Sequence, residues 1–284
     1  MSSSNLPPHG ILPEDVAEIK SLYDNAMSHN VSIHDLVYPE VFGQSEYIGQ
    51  FSDNSASDLI DLGRALDLAP GSKVLDIGCG RGRVARFLAE RFGWNITGID
   101  VASVPLADAN EMKRQLEGGL SKQLYFIEGD VYQLSGTGAF DGIYGTGAFC
   151  HFDASHLFSH CADLLRDGGR LGFMERTRTG EISPSDWQKL TEEWRCPFVY
   201  TVEEYASTLR ESGFVDIRSD DLSERFRDWQ SRSVTVREHM SETIKARTNS
   251  DYHNTALAHA RYEADVSRIG SLGYALFTAT KGTR

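Results

Sequence analysis

The chain is short of positive charge. It has 284 residues with 28 Lys plus Arg against 41 Asp plus Glu, a formal net charge of −13. That argues against a general nucleic-acid binder, whose phosphate contacts require a basic surplus. Cysteine is scarce as well. Cys79, Cys150, Cys161 and Cys196 form no CxxC pair, so no disulfide framework is indicated and a reduced, cytoplasmic setting is expected. No apolar run approaches the roughly 20 residues that span a bilayer. The opening MSSSNLPPHG lacks the charged start and apolar stretch of a secretory signal. No internal repeat is visible, and low complexity is confined to the first dozen residues. What is present suffices for a sizeable core: 40% hydrophobic and 24% charged residues exclude global disorder. The length suits one large domain or a domain with a cap.

Apolar residues recur at helical spacing over residues 13–27, and residues 58–68 read as a second helix ended by Pro70-Gly71. From Lys73 the texture changes to short apolar runs alternating with helical segments. Strands are expected at 73–77, 95–99, 124–128, 140–144 and 170–174, and helices at 83–92, 105–117 and 155–165. Repeated βα units of this kind imply an α/β, doubly wound parallel sheet covered by helices. A further helix (202–212), a strand (214–219), a long polar helical stretch (222–266) and a last strand (272–280) complete the chain. The long stretch cannot join the sheet, so it is expected to cap the end where such sheets bind ligands.

The sharpest signal is Val74-Leu-Asp-Ile-Gly-Cys-Gly-Arg-Gly82. Gly78, Gly80 and Gly82 keep GxGxG spacing between a strand and a helix, where the missing Cβ atoms allow a tight turn and close approach of a ligand. Arg83 stands where the dinucleotide fingerprint has its last glycine. Asp76, two residues before the first glycine, disfavours a pyrophosphate and suits an ammonium. The second strand leads to Asp100, placed to accept ribose hydroxyls. The third leads to Asp130, placed to accept an exocyclic amine of adenine. Ammonium, ribose and adenine together describe S-adenosylmethionine better than NAD.

This pattern resembles the class I S-adenosylmethionine-dependent methyltransferases, strongly over residues 71–176. The resemblance implies a Rossmann-like core in which Asp76, Gly78 and Gly80 line the methionine part. Asp100 and Val101 would line the ribose and Asp130 and Val131 the adenine, with Gly145 in the same set. Cys79 lies inside the loop, as a cofactor neighbour or a small apolar filler. A narrower likeness, to phosphoethanolamine and sarcosine/dimethylglycine N-methyltransferases, rests on Val41-Phe-Gly-Gln-Ser-Glu-Tyr-Ile-Gly49, Thr201-Val-Glu-Glu-Tyr205, Gly213-Phe214, Asp221-Leu-Ser223 and Ala279-Thr-Lys281. It implies that Tyr47, Ile48 and Gly49 help to cover the cofactor and that His151 matches a histidine after the fourth strand. The phosphoethanolamine enzymes carry an aspartate four residues before that histidine; here the position is Gly147. Of their phosphate-binding residues only Arg195 aligns. Their tyrosine partner of the histidine has three counterparts to choose among: Tyr23, Tyr38 and Tyr47.

Methyl transfer from a sulfonium is an in-line displacement, so the protein must align, desolvate and, for an ammonium, deprotonate the acceptor. A histidine suits that base role, and His151 is the candidate; a plain loop hydrogen bond is its other reading. Substrate-binding candidates are Tyr23, Gly147, Arg176, Arg195 and Tyr200, with an aromatic group (Phe149, Phe152, Trp187, Trp194, Phe198, Tyr200) serving as pocket wall or as core. Arg176, Arg178 and Arg195 would clamp an acid group or lie on the surface. His156 and His160, one turn apart, bring no third ligand by any known motif, so no metal is assigned. The arginines of residues 225–237 are interspersed with acids and read as a solvated helix face. The expected activity is N-methylation of a small amine or amino-acid-like metabolite, with O- or C-methylation of a natural product as the alternative. A cofactor-holding module without turnover and an RNA methyltransferase are the readings from other classes. The expected partner is a small methyl acceptor, not nucleic acid or membrane, with a homo-oligomer left open. The expected division is an N-terminal helical cover (1–70), a core (71–221 and 271–284) and a cap (222–270).

Overall fold

The computed structural model describes residues 13–193 and 195–283. Trp194, one of the aromatic residues named above, lies outside them. In chain order the main elements are α1 (Pro13–Phe42), α2 (Ala56–Leu66), β1 (Lys73–Ile77), α3 (Arg83–Phe92), β2 (Asn95–Asp100), α4 (Ser103–Arg114) and α5 (Leu120–Gln123). They continue with β3 (Leu124–Glu128), β4 (Phe140–Thr146), α6 (Ala154–Leu164), β5 (Leu165–Arg178), α7 (Pro184–Gln188), α8 (Val202–Glu211) and β6 (Phe214–Asp221). Three cap helices, α9 (Ser223–His239), α10 (Ser241–Arg247) and α11 (Ser250–Arg268), precede β7 (Leu272–Lys281).

The sheet order is β3-β2-β1-β4-β5-β7-β6. β1 to β5 pair in parallel, but β7 runs antiparallel to both β5 and β6. The expected parallel sheet is therefore a mixed one with a single reversed strand. Strand direction is not encoded in a local apolar run. The long β5–β7 ladder, from Arg170↔Thr280 to Arg178↔Leu272, also carries β5 well past the expected residue 174. The alternation of β1 is what a sheet buried on both faces requires. Val74 packs into the cluster with Leu59, Leu88 and Ile96, while Leu75 and Ile77 pack into the opposite one with Phe158, Phe173 and Phe277.

α1 runs fifteen residues beyond the expected end at 27. Polar residues 28–30 interrupt the pattern, but Ile33, Val37 and Val41, four apart, resume it and bury against Ile244 of the cap. α2 begins with a capping box in which Ser55 and Asp58 satisfy each other's backbone amides, a motif worth about 1 kcal/mol. The polar stretch after β6 breaks into three helices, with Trp229 of α9 edge-on to Phe42 of α1 at 4.9 Å. Cover and cap thus meet above the carboxyl ends of the parallel strands.

The glycine loop is fixed by what a side chain would strike. Gly82 has φ +67°, and a Cβ there would lie 2.5 Å from Phe126 Cζ and 3.0 Å from Ala109 Cβ. Gly80 has φ +49° with nothing within 4 Å. Gly80→Ala should cost only the left-handed backbone penalty, about 1 kcal/mol. Gly82→Ala should cost about 1–3 kcal/mol more through overpacking. Urea unfolding of both variants checks this; equal midpoints would contradict the packing assigned to Gly82.

Candidate active site

A cleft opens above the carboxyl ends of β1, β2, β3 and β4. Asp76, on β1, faces it and is 2% exposed. Its Oδ2 is buried with no hydrogen-bond partner among the described residues. Burial pushes this carboxyl up to about 7; the nearby Tyr144 hydroxyl works against that and the charge of Asp100 adds to it. An ionised carboxylate held this way is a site for a cation.

Asp100, at the end of β2, knits the loop to the sheet. Its Oδ2 accepts the Gly80 amide at 2.8 Å and its Oδ1 the Ala102 amide at 2.9 Å. Burial raises it, and these two amides oppose the shift. Each oxygen keeps acceptor capacity toward the cleft. Asp130 follows β3 and caps the short turn Val131–Gln133, accepting the Tyr132 amide at 3.0 Å. His160 donates from a ring nitrogen to the Val131 carbonyl (2.9 Å), and His156 stacks on Tyr132 at 4.1 Å. The two histidines therefore serve the Tyr132 corner and do not converge as ligands. Cys79 is buried, with its Sγ where a Cβ on Gly98 would fall, 2.7 Å away; it fills the space under the loop while also lining the cleft.

At the inner end of the cleft a chain of hydrogen bonds crosses the fold. His151 Nδ1 lies 2.5 Å from the Arg195 carbonyl, and Nε2 lies 2.8 Å from the Tyr23 hydroxyl. A carbonyl can only accept, so Nδ1 carries the proton. Nε2 is then the acceptor and Tyr23 donates to it. Among the described residues, Arg195 is one of three non-glycine residues with positive φ, at 52°. Its side chain pairs with Glu18 of α1 at 3.0 Å. Buried Glu175 holds the His151 loop by accepting the Cys150 amide at 3.1 Å. Cys150, His151 and Cys196 are the one trio of metal-type ligands close together among the described residues. Both ring nitrogens of His151 are already engaged.

Tyr23 also lines a second cavity of about 400 Å³ between α1, the 51–53 segment, α9 and α11. Phe51, Ser52 and Gly147 belong to the wall shared by both cavities. Arg176 reaches into this chamber with its Nη2 between Asp53 Oδ2 (2.6 Å) and Glu263 Oε1 (2.8 Å). Burial pushes Asp53 up to about 6; Arg176 works against the shift and Glu263 adds to it.

The structure brings Asp76, Gly78, Cys79, Gly80, Asp100, Val101, Asp130, Val131, Gly49, Gly147, Tyr23 and His151 to one cleft. Others lie elsewhere. Gly145 is covered, since a Cβ on it would strike Phe149 at 2.3 Å. Tyr47 is not among the residues that line the cleft and donates to Asp35 Oδ1 at 2.5 Å, and Ile48 packs on the core. Tyr200 is 6% exposed and borders neither cavity; its hydroxyl serves Asp153 and the Ala154 amide. Arg195 acts through its carbonyl and Glu18, and Arg176 is neutralised by two carboxylates, so neither offers an open anion clamp. Phe149 and Phe198 are core residues, while Phe152 borders the cleft. The sequence reading missed Val16, Ile19, Gln50, Phe51 and Ser52, which close the cleft from the N-terminal side. The apolar spacing of Val16 and Ile19 signalled a buried face but not what it covers.

The raised carboxyl of Asp76 makes a stability prediction. Its folded pKa, about 7, exceeds the unfolded value near 3.9, so ionisation opposes folding. Stability present below the unfolded pKa is lost as pH rises through about 7. Asp76→Asn should therefore match the wild type near pH 4 and exceed it at pH 8, by on the order of a few kcal/mol without ligand. Denaturant unfolding at both pH values checks this; a variant less stable at pH 8 would contradict it.

Residues 74–169 match the family described as "Methyltransferase domain". A sterol 24-C-methyltransferase of Gibberella zeae is 27% identical over 235 residues, covering 78% of this chain and 61% of its own. A phosphoethanolamine N-methyltransferase of Triticum aestivum is 26% identical over 251 residues, covering 87% and 47%. The chain thus spans about half to three-fifths of the length of these relatives. Among solved structures, a Haemonchus contortus phosphoethanolamine N-methyltransferase in complex with phosphomonomethylethanolamine and S-adenosylhomocysteine superposes with a TM-score of 0.78. It is 20% identical, over 93% of this chain and 60% of that one; at that identity the likeness is one of fold. Residues 74–169 thus carry the methyltransferase-domain match, and the glycine loop with the acids at three successive strand ends lies within it.

Proposed function

We propose that the protein is a small-molecule methyltransferase that uses S-adenosylmethionine and methylates the nitrogen of an amine or amino-acid-like metabolite. The observation that carries this reading is Tyr23, which lines both cavities and donates its proton to His151. The residues fit the cofactor. The unpartnered Oδ2 of Asp76 suits its ammonium, Asp100 and Val101 suit the ribose, and Asp130 and Val131 suit the adenine. When bound, the cofactor supplies a methyl group already activated on a sulfonium. The chain's residues then position the acceptor and remove its proton. In this reading an amine on the shared wall gives a proton to the Tyr23 oxygen while the Tyr23 proton passes to His151 Nε2. The Arg195 carbonyl holds the resulting imidazolium through Nδ1. The expected division into cover (1–70), core (71–221 and 271–284) and cap (222–270) agrees with this, since cover and cap helices supply most of the chamber wall. A cytoplasmic location is supported by four buried cysteines without disulfides.

A C-methyltransferase is the second reading, favoured by Gly147. With no carboxylate on that residue, the shared wall lacks the amine-facing acid of the phosphoethanolamine enzymes, and a sterol C-methyltransferase is among the similar proteins. Transfer of labelled methyl from the cofactor to a panel of amines, phenols and isoprenoids separates the two. Label on nitrogen is expected; label on carbon alone would select the second reading, and no labelled product would contradict both.

Asp100→Ala should weaken cofactor binding by about 1–3 kcal/mol through lost charged hydrogen bonds. Unchanged affinity by calorimetry would contradict the ribose assignment. His151→Ala should lower turnover by roughly 10²-fold or more, and Tyr23→Phe by about tenfold or more, with cofactor affinity kept. Full turnover in either variant would exclude the relay.

A further inference from the structure

Two buried cysteines flank the groups that orient His151. Cys150 precedes His151 on the short turn after β4, and Cys196 follows Arg195, whose carbonyl accepts the His151 Nδ1 proton. Their Sγ atoms lie 3.2 Å apart across 46 residues of chain, and both are thiols. The two segments are also joined through the backbone, where the Phe198 amide donates to the Cys150 carbonyl at 3.2 Å. Arg195 holds φ 52°, so the direction of its carbonyl depends on a backbone conformation that non-glycine residues seldom adopt.

Access to the pair is one-sided. Cys150 is 1% exposed and Cys196 4%, but Cys196 borders the second cavity, which has room for a small oxidant. The bond between the two sulfurs, then burial, pushes the Cys196 thiol up. The same bond works to lower Cys150, while burial and the charge of Glu175 leave it raised. Both rest protonated at neutral pH, and the reactive thiolate is a minor form. In a reducing compartment a disulfide between such groups is transient. Its sulfurs stand about 2.05 Å apart, so closing it brings the two Sγ atoms about 1 Å nearer. In a close-packed interior the residues beside them move as well, and these residues are His151 and Arg195.

We propose that Cys150 and Cys196 are a redox-modification site: a peroxide converts them to a disulfide that pulls the Arg195 carbonyl off His151 and reversibly stops methyl transfer. The Cys196 thiolate attacks the peroxide, an S–O bond forms as the O–O bond breaks, and the departing hydroxide leaves as water with the Cys196 proton. Cys150 Sγ then attacks the sulfenic acid. The S–S bond forms, the S–O bond breaks, and the second oxygen leaves as water with the Cys150 proton. The pair loses two electrons and two protons, and one hydrogen peroxide becomes two waters. An added dithiol restores both thiols by exchange. The loss of turnover rests on the methyltransferase reading; the disulfide and the displacement of His151 do not.

The test treats the full chain with a small molar excess of hydrogen peroxide at about pH 8.5, where more of each thiol is ionised, and then with dithiothreitol. Peptide mapping by mass spectrometry should find a Cys150–Cys196 cross-link that dithiothreitol removes. The imidazole NMR signals of His151, assigned by their absence in His151→Gln, should shift on oxidation and return on reduction. On any acceptor found by label transfer, oxidation should lower turnover about tenfold or more, with recovery in dithiothreitol. Cys196→Ser and Cys150→Ala should each keep, after peroxide, the turnover they had before it. Loss of turnover in both variants would place the damage elsewhere and overturn the proposal. No cross-link, or a cross-link that leaves the His151 signals and turnover unchanged, also overturns it. If the cross-link and the shift appear while no acceptor is ever labelled, the redox site stands and the methyltransferase reading fails.

Discussion

Everything in the site is arranged around one buried carboxylate with an unsatisfied oxygen. Asp76 is held by β1 in the floor of the cleft, where water is largely excluded and Oδ2 has no protein partner among the described residues. Most buried polar atoms in folded proteins have a hydrogen-bond partner, and this one faces the cleft. The glycine loop that follows Asp76 in sequence curls over it, and the loop keeps its shape because Asp100 accepts the Gly80 amide. A cation delivered to Asp76 therefore meets a backbone already fixed by the neighbouring strand.

The covering helix joins this floor to the reacting end. α1 presents Tyr23 to His151, and its other faces are fastened to the core. Asp24 accepts the Val104 amide at the start of α4, and Asp35 pairs with Arg81, which also holds Asp108. Arg81 is 8% exposed, so these pairs are less screened than surface ones. On the opposite side the Arg195–Glu18 pair ties the segment that orients His151 to the same helix. The position of the Tyr23 hydroxyl is thus set by contacts on both rims of the cleft.

What could be read in the sequence was local. The loop, its flanking strand and helix, and the acids at three strand ends are contiguous signals, and the structure places all of them on one cleft. What could not be read was the meeting of distant segments. Tyr23 and His151 are 128 residues apart, and nothing near Tyr23 distinguished it from Tyr38 or Tyr47. Direction along the sheet was equally hidden, because β7 has the same apolar texture whether parallel or reversed. Charge pattern misled at Arg237. Arg225 pairs with buried Asp58 and Arg232 reaches the Glu40 carbonyl while both stay exposed, and Arg237 lines the chamber, so the solvated face holds except where Arg237 turns inward. Tyr200 and Arg195 were placed near the right segment with the wrong atoms in view: one is core, and the other contributes a carbonyl.

The most direct test of the central claim is a crystal structure of the full chain with S-adenosylhomocysteine. The account predicts its amino group on Asp76 Oδ2, its ribose hydroxyls on Asp100, its adenine at Asp130 and Val131, and its sulfur directed toward the wall bearing Tyr23 and Gly147. A ligand lying with its amino group away from Asp76, or a cleft that stays empty at saturating concentration, would contradict it.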